Sequence, residues 1–158
     1  MKDIAFKRIL VPTDFSKYSE AAIKFALTFA KKLKSEVSFL YVRPPEFSFS
    51  GAFKAFEHKK VERGKQKEIS EQEERLRAFL KKFPLKGLKT HFLVRSGPPY
   101  VEIILAAKKI KADLIILGTH GRTGLLHIMM GSVAERVARE ASCPVMVVKP
   151  EEAEFKML

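Results

Sequence analysis

The chain alternates short apolar runs with longer stretches whose apolar residues recur every three or four positions. The runs Arg8 to Pro12, Val37 to Val42, Leu88 to Val94, Leu114 to Leu117 and Cys143 to Val148 predict strands. Val37 to Val42 and Leu114 to Leu117 are almost wholly apolar, the mark of strands covered on both faces. Between them lie four predicted helices. The first spans about residues 16–33, with Tyr18, Ala21, Ala22, Phe25, Ala26, Phe29, Ala30 and Leu33 forming one stripe. The second spans about 57–83, polar early and amphipathic late, with Leu76, Phe79, Leu80 and Phe83 as its clearest apolar set. The third runs from Tyr100 to Ile110. The fourth runs from about Ser132 to Ala141, with Val133, Ala134, Val137, Ala138 and Ala141 on one face.

Strand and helix therefore alternate four times before a closing strand. That order predicts a single-domain α/β fold: an open sheet of five mainly parallel strands with helices on both faces. Such sheets bind ligands beyond the carboxyl ends of their strands, where strand order reverses. The loops at those ends are Pro12 to Ser16, Val42 onward, Arg95 to Pro99, and Gly118 to Gly131. Residues 1–150 read as the domain and 151–158 as a peripheral tail. One stretch, Phe47 to Phe56, carries four phenylalanines without a helical or alternating period. It is expected to be mobile or ordered only by a neighbour, as a lid on the site or a partner surface, or else to fill gaps beneath the second helix or at an interface between copies.

Bulk properties narrow the class. The 158 residues, 46% of them hydrophobic, suit one domain with a real core. No apolar run approaches the roughly 20 residues that cross a bilayer, and Met1 to Lys7 does not read as a signal peptide. A single cysteine, Cys143, excludes an intramolecular disulfide and fits a reducing cytoplasm. The net charge of +12 could attract polyanions or be a solvated lysine-rich surface. The second reading is preferred, because lysines are scattered and mixed with Glu71, Glu73 and Glu74. There is no Asn and Gln occurs only at 66 and 72, a composition that hints at a heat-adapted source.

The candidate chemistry lies after the fourth strand. Gly118, Gly121 and Gly131-Ser132 follow the spacing G-x2-G-x9-G-S. Glycines there permit positive φ or close ligand approach. The last pair opens a helix, whose free N–H groups and dipole favour an anion. An ordinary strand-to-helix connection would also explain the glycines. Neither GxxxxGK[ST] nor GxGxxG is present. His120 and His127 lack companions at metal-ligand spacing, and a Ser132-His127-Asp triad lacks a nucleophile elbow.

The segment from Leu114 to Val148 and the opening from Arg8 to Leu33 resemble the two signatures of the universal stress protein family, ATP-binding branch. The resemblance implies a Rossmann-like fold of the adenine nucleotide alpha hydrolase type. It also implies a small dimeric regulator of stress physiology. It implies that Gly118, Gly121, Gly131 and Ser132 cradle phosphates and ribose, with Thr119 and Arg122 between them. Val133 would add its backbone N–H. Pro12, Thr13 and Asp14 would flank the nucleoside, and Asp14 could meet a metal-bound water. Val42 would meet the adenine edge through its backbone. The implied ligand is ATP, with or without Mg2+. The implied partner is a second copy, paired through the strand Cys143 to Val148. Asp14 and Ser132 could instead serve only as helix caps. No catalytic base is evident beyond Arg122 and His120, so turnover of ATP is expected to be slow if it occurs. A basic partner- or nucleic-acid-binding module is a further alternative.

Overall fold

A computed structural model of the chain describes residues 5–45, 58–119 and 131–150. The elements follow in the order β1 (Arg8–Thr13), α1 (Lys17–Leu33), β2 (Glu36–Arg43), α2 (His58–Leu80), β3 (Thr90–Ser96), α3 (Pro99–Ile110), β4 (Leu114–Gly118), α4 (Ser132–Glu140) and β5 (Val145–Val148). The five strands form one sheet in the order β3-β2-β1-β4-β5, and every neighbouring pair is parallel. Strand order reverses between β1 and β4. The expected fold class is the observed one.

Alternate residues of each central strand serve opposite faces. Ile9, Val11, Val37, Phe39, Leu114 and Ile116 pack under α1 and α2. Leu10, Leu40, Ile115 and Leu117 pack with Ile103 and Ala106 of α3 and Val137 of α4. Both sets are buried, which is why these strands read as unbroken apolar runs.

Several boundaries differ from the sequence pattern, each for a local reason. α2 ends at Leu80 rather than 83: Phe83, before Pro84, is pushed out of the helical region, and its N–H bonds the Leu80 carbonyl at 3.0 Å in a tighter turn. Phe83 is still buried, as its place in the apolar set requires. β5 starts at Val145 rather than Cys143. Pro144 has no N–H to give the ladder, although its carbonyl accepts from Ile115 N–H at 3.0 Å. Cys143 packs part-buried against the α3–α4 face, and burial raises its thiol pKa above the usual range.

The stripe expected on α1 is rotated. Ala22, Ile23, Ala26, Leu27 and Ala30 face the core, while Phe25 is 42% exposed and Leu33 47% exposed. Three alanines on the buried side let the helix lie close to the sheet. The closeness is measured at Gly118, where a Cβ would stand 2.7 Å from the Tyr18 carbonyl oxygen. Larger residues displaced from that face remain on its flank, where Phe25 and Phe29 stack at 5.2 Å.

The amino-terminal edge of the sheet is tied by one carboxylate. Asp113, just before β4, accepts from Lys7 N–H at 3.1 Å, Arg8 N–H at 2.9 Å and the Arg8 guanidinium at 3.2 Å. Burial alone would raise the Asp113 pKa, but these donors outweigh it and hold the carboxyl below its ordinary value.

Candidate functional site

A cavity of about 310 Å3 opens at the carboxyl edge of the sheet, above the reversal between β1 and β4. Its walls come from the ends of β1, β2 and β4 and the starts of α3 and α4. Pro12, Thr13, Asp14, Val42, Gly118, Thr119, Gly131, Ser132 and Val133 all line it. They come from three separate parts of the sequence. Gly121 and Arg122 lie outside the described residues, as do His120, His127, Met129, Met130 and the segment Phe47 to Phe56.

The β1 wall is built by a tight turn. Thr13 is buried, and its Oγ1 lies 2.9 Å from Ser19 Oγ in the first turn of α1. Phe15 N–H donates to Thr13 Oγ1 at 3.2 Å instead of continuing the β-ladder. Ser16 donates to Asp14 Oδ1 through its N–H at 3.0 Å and its hydroxyl at 2.5 Å. Ser16 is the helix N-cap, its Oγ accepting from Ser19 N–H at 3.2 Å. Asp14 therefore is not the cap of α1. Its Oδ2 takes no hydrogen bond among the described residues.

The β2 wall is backbone. β1 pairs with β2 only as far as Thr13 opposite Tyr41, so Val42 is the first β2 residue past the last β1 partner. Glu36 N–H bonds the Lys7 carbonyl on the β1 side, and Arg43 accepts from Gly97 on the β3 side. Backbone groups alternate between sides along a strand. Val42, an even number of residues from Glu36, therefore turns its N–H and carbonyl toward the β1 side, where the cavity lies.

The third wall combines Gly118 and Thr119 with the start of α4. Thr119 N–H donates to the Val148 carbonyl at 3.0 Å, and Gly131 N–H donates to the Thr119 carbonyl at 2.7 Å. Gly131 is the N-cap of α4, with φ −67 and ψ 149 and no side-chain cap. Ser132 thus occupies the first helical position and is not the cap. The first intrahelical bond runs from Glu135 N–H to the Gly131 carbonyl, so the N–H groups of Ser132, Val133 and Ala134, three residues that line the cavity, precede it. Gly131 adopts a conformation open to any L residue. Gly118 has no positive φ; the need for glycine there comes from the close passage of α1.

Other lining residues carry no motif. Leu40, Tyr41, Pro44, Pro99, Ile103, Leu117 and Ala134 make the cavity wall mainly apolar. Pro44, just past the end of β2, and Pro99, at the start of α3, were readable signals. Ser19 could have been found from its place one helical turn after Ser16. Among the described residues no group of three His, Cys, Asp or Glu side chains gathers closely enough to hold a metal ion.

Comparison with known proteins agrees with this geometry. The profile of the Universal stress protein family matches residues 5–149. Universal stress protein MJ0531 of Methanocaldococcus jannaschii is 38% identical over 153 residues, covering 94% of this chain and 85% of its own length. Universal stress protein MJ0577 of the same organism is 33% identical over 157 residues, covering 92% and 96%. The solved structure of MJ0577 superposes with a TM-score of 0.72 over 92% of this chain and 97% of its own. Two more distant solved members share the fold. One, in complex with cAMP, is 20% identical with a TM-score of 0.59, covering 92% of this chain and 98% of its own. Another, from Archaeoglobus fulgidus in complex with dAMP, is 21% identical with a TM-score of 0.52, covering 93% and 100%.

Proposed function

The chain belongs to the universal stress protein family, and from that premise we propose that its cavity binds ATP and that the protein acts as a dimeric nucleotide-dependent switch in stress physiology. The single observation that carries this reading is the convergence of three chemically distinct walls on one cavity at the strand-order reversal. Relatives solved with cAMP and dAMP support the adenine nucleotide class.

Each wall suits one part of the ligand. The base would lie in the apolar slot beside Leu40 and Ile103, with backbone groups of Val42 on its edge. That edge pattern favours adenine over guanine, whose donor and acceptor positions are exchanged. The ribose would lie between Asp14 and the α4 start. The phosphates would take the N–H groups of Ser132 and Val133 and the helix dipole, with the Ser132 hydroxyl as an added donor. Gly121 and Arg122 would complete the phosphate cradle from the loop between Thr119 and Gly131. Asp14 Oδ2 would accept a ribose hydroxyl or a water carried by Mg2+. A cavity of about 310 Å3 falls in the range of small-molecule sites.

The second copy would pair through β5. This strand is at the sheet edge, and its four residues are only part-buried. Glu20 on one flank of α1 reaches Lys82 beyond α2. Phe29, stacked on Phe25, packs against the same core cluster as Met146 and Val148 of β5. The part-buried edge strand and exposed Phe25 are apolar surface of the kind that pairing would cover.

Mass spectrometry of protein purified without added ligand, with calorimetry of ATP, ADP and GTP, tests the site. Adenine nucleotide should be released, and ATP should bind more tightly than GTP. No binding of ATP in the calorimeter would refute the reading. Light scattering should give twice the mass of one chain, and a monomer would exclude the dimer.

A further inference from the structure

Phe15 stands at the strained point of the β1–α1 turn. Its φ is +65, a left-handed conformation that a bulky L residue adopts only when its surroundings impose it. Beside the hydrogen bonds of the turn, its ring makes three close contacts. The Tyr41 ring lies 4.6 Å away, the Phe79 ring meets it edge-on at 5.2 Å, and the Arg75 guanidinium sits 4.3 Å from its centroid. Tyr41 lines the cavity, but Phe79 and Arg75 belong to α2 and do not.

The left-handed turn has consequences on its other side. It returns Ser16 to Asp14, whose Oδ1 accepts from the Ser16 N–H and hydroxyl. If φ relaxed to a negative value, the chain would leave Phe15 in another direction and the Ser16 bonds to Asp14 Oδ1 would break. The orientation of Asp14 in the cavity therefore depends on a clamp whose outer jaw is α2. That helix is largely polar, and more of its hold on the core is of the same kind. Arg77 lies 4.2 Å from the Phe92 ring centroid, and Lys82, just past the helix, lies 4.2 Å from that of Phe79.

We propose that Phe15 is a positioning residue for the nucleotide site, and that α2, through Phe79 and Arg75, sets nucleotide affinity from outside the cavity. The proposal rests on the nucleotide reading above. Apparent affinity scales with the fraction of molecules whose turn is already in place. Loosening the clamp lowers that fraction, and by reciprocity a bound nucleotide tightens α2 against the turn.

The test is a mutant cycle read by calorimetry with ATP. It uses Phe79→Ala, Arg75→Ala, Asp14→Ala and the doubles Asp14→Ala/Phe79→Ala and Asp14→Ala/Arg75→Ala. Phe79→Ala should weaken ATP about fivefold through the lost ring pair. Arg75→Ala should weaken it about twofold through the lost cation–π contact. Neither should weaken it further once Asp14 is alanine, a non-additivity that general loosening of the fold would not give. In parallel, the backbone coupling constant of Phe15 in nucleotide-free protein should show positive φ in the parent and its loss in Phe79→Ala. Additive effects, or an unchanged Phe15 signal in Phe79→Ala, overturn the proposal. If Phe79→Ala fails to fold, exposed Arg75 carries the cycle and the Phe15 signal. Parent protein that binds no ATP refutes the nucleotide reading and the affinity claim with it, while the Phe15 signal separately decides whether the clamp holds the turn.

Discussion

At the end of β1, the side chains of Thr13, Asp14, Ser16 and Ser19 bond one another and the local backbone. Across the cavity, α4 begins on a glycine with no side-chain cap. One wall is finished from within and holds a strained residue in place. The other exposes helix-start donors that a protein normally satisfies with a Ser, Thr or Asp side chain. A preformed wall can orient a ligand at little entropic cost. The α4 start has no side-chain cap among the described residues, and an arriving anion would give its donors a partner. Substitutions in the first wall should therefore disturb fold and affinity together, and those at the uncapped start of α4 should disturb affinity alone.

Gly131→Val tests that contrast most severely. The backbone at 131 tolerates a side chain, so circular dichroism and melting should stay close to those of the parent. A branched side chain over the α4 donors should nevertheless abolish ATP binding in the calorimeter. Retained binding would mean that the phosphates do not lie there.

Gly118→Ala should do the reverse. The new Cβ would meet the Tyr18 carbonyl at 2.7 Å, and backbone cannot yield as a side-chain tip can. Denaturant unfolding should show a loss of about 1–3 kcal/mol, the usual cost of overpacking. An unchanged midpoint would show that α1 is free to shift.

Asp14→Ala and Ser132→Ala compare the walls at matched chemistry. Removing Asp14 deletes a charged acceptor and its two bonds from Ser16, so ATP should bind about 2 kcal/mol more weakly and the melting temperature should fall. Ser132 is exposed at the first helical position. Its loss should cost about 1 kcal/mol of binding, the value of one hydroxyl hydrogen bond, with no change in melting. Equal losses of stability in the two variants would erase the distinction.

The smallest effect should come from the opposite edge of the sheet, which has no part in the site. Asp113 has a folded pKa below its unfolded one, because the Arg8 and Lys7 donors outweigh its burial. Its contribution is thus fully present above the unfolded value of about 3.9 and disappears as pH falls through the folded value. Asp113→Asn should be less stable than the parent at neutral pH, and the gap should close as pH falls below about 3.9. ATP affinity at neutral pH should not change. A gap that is constant with pH would assign the effect to packing instead.

How much of this was readable beforehand follows from the range over which each cause acts. Element order, the parallel sheet and its covered faces were legible in the alternation of short apolar runs with helical periods, since periodicity reports burial directly. The glycine spacing and the Pro12-Thr13-Asp14 turn pointed to the residues that now meet in one cavity, because turn chemistry and uncapped helix starts are local properties. The sequence alone also determined that Gly131 opens a helix.

Tertiary structure decided what depends on distance through space. The stripe on α1 included Phe25 and Leu33, yet the core took Ile23 and Leu27, because a helix with apolar residues around much of its girth is oriented by its neighbours. Gly118 read as a phosphate glycine, and only the approach of α1 revealed its steric duty. Asp14 read as a possible cap, until Ser16 was found in that role. The clamp on Phe15 joins β1–α1, β2 and α2 through rings far apart in the chain, and no local pattern records a contact made by folding.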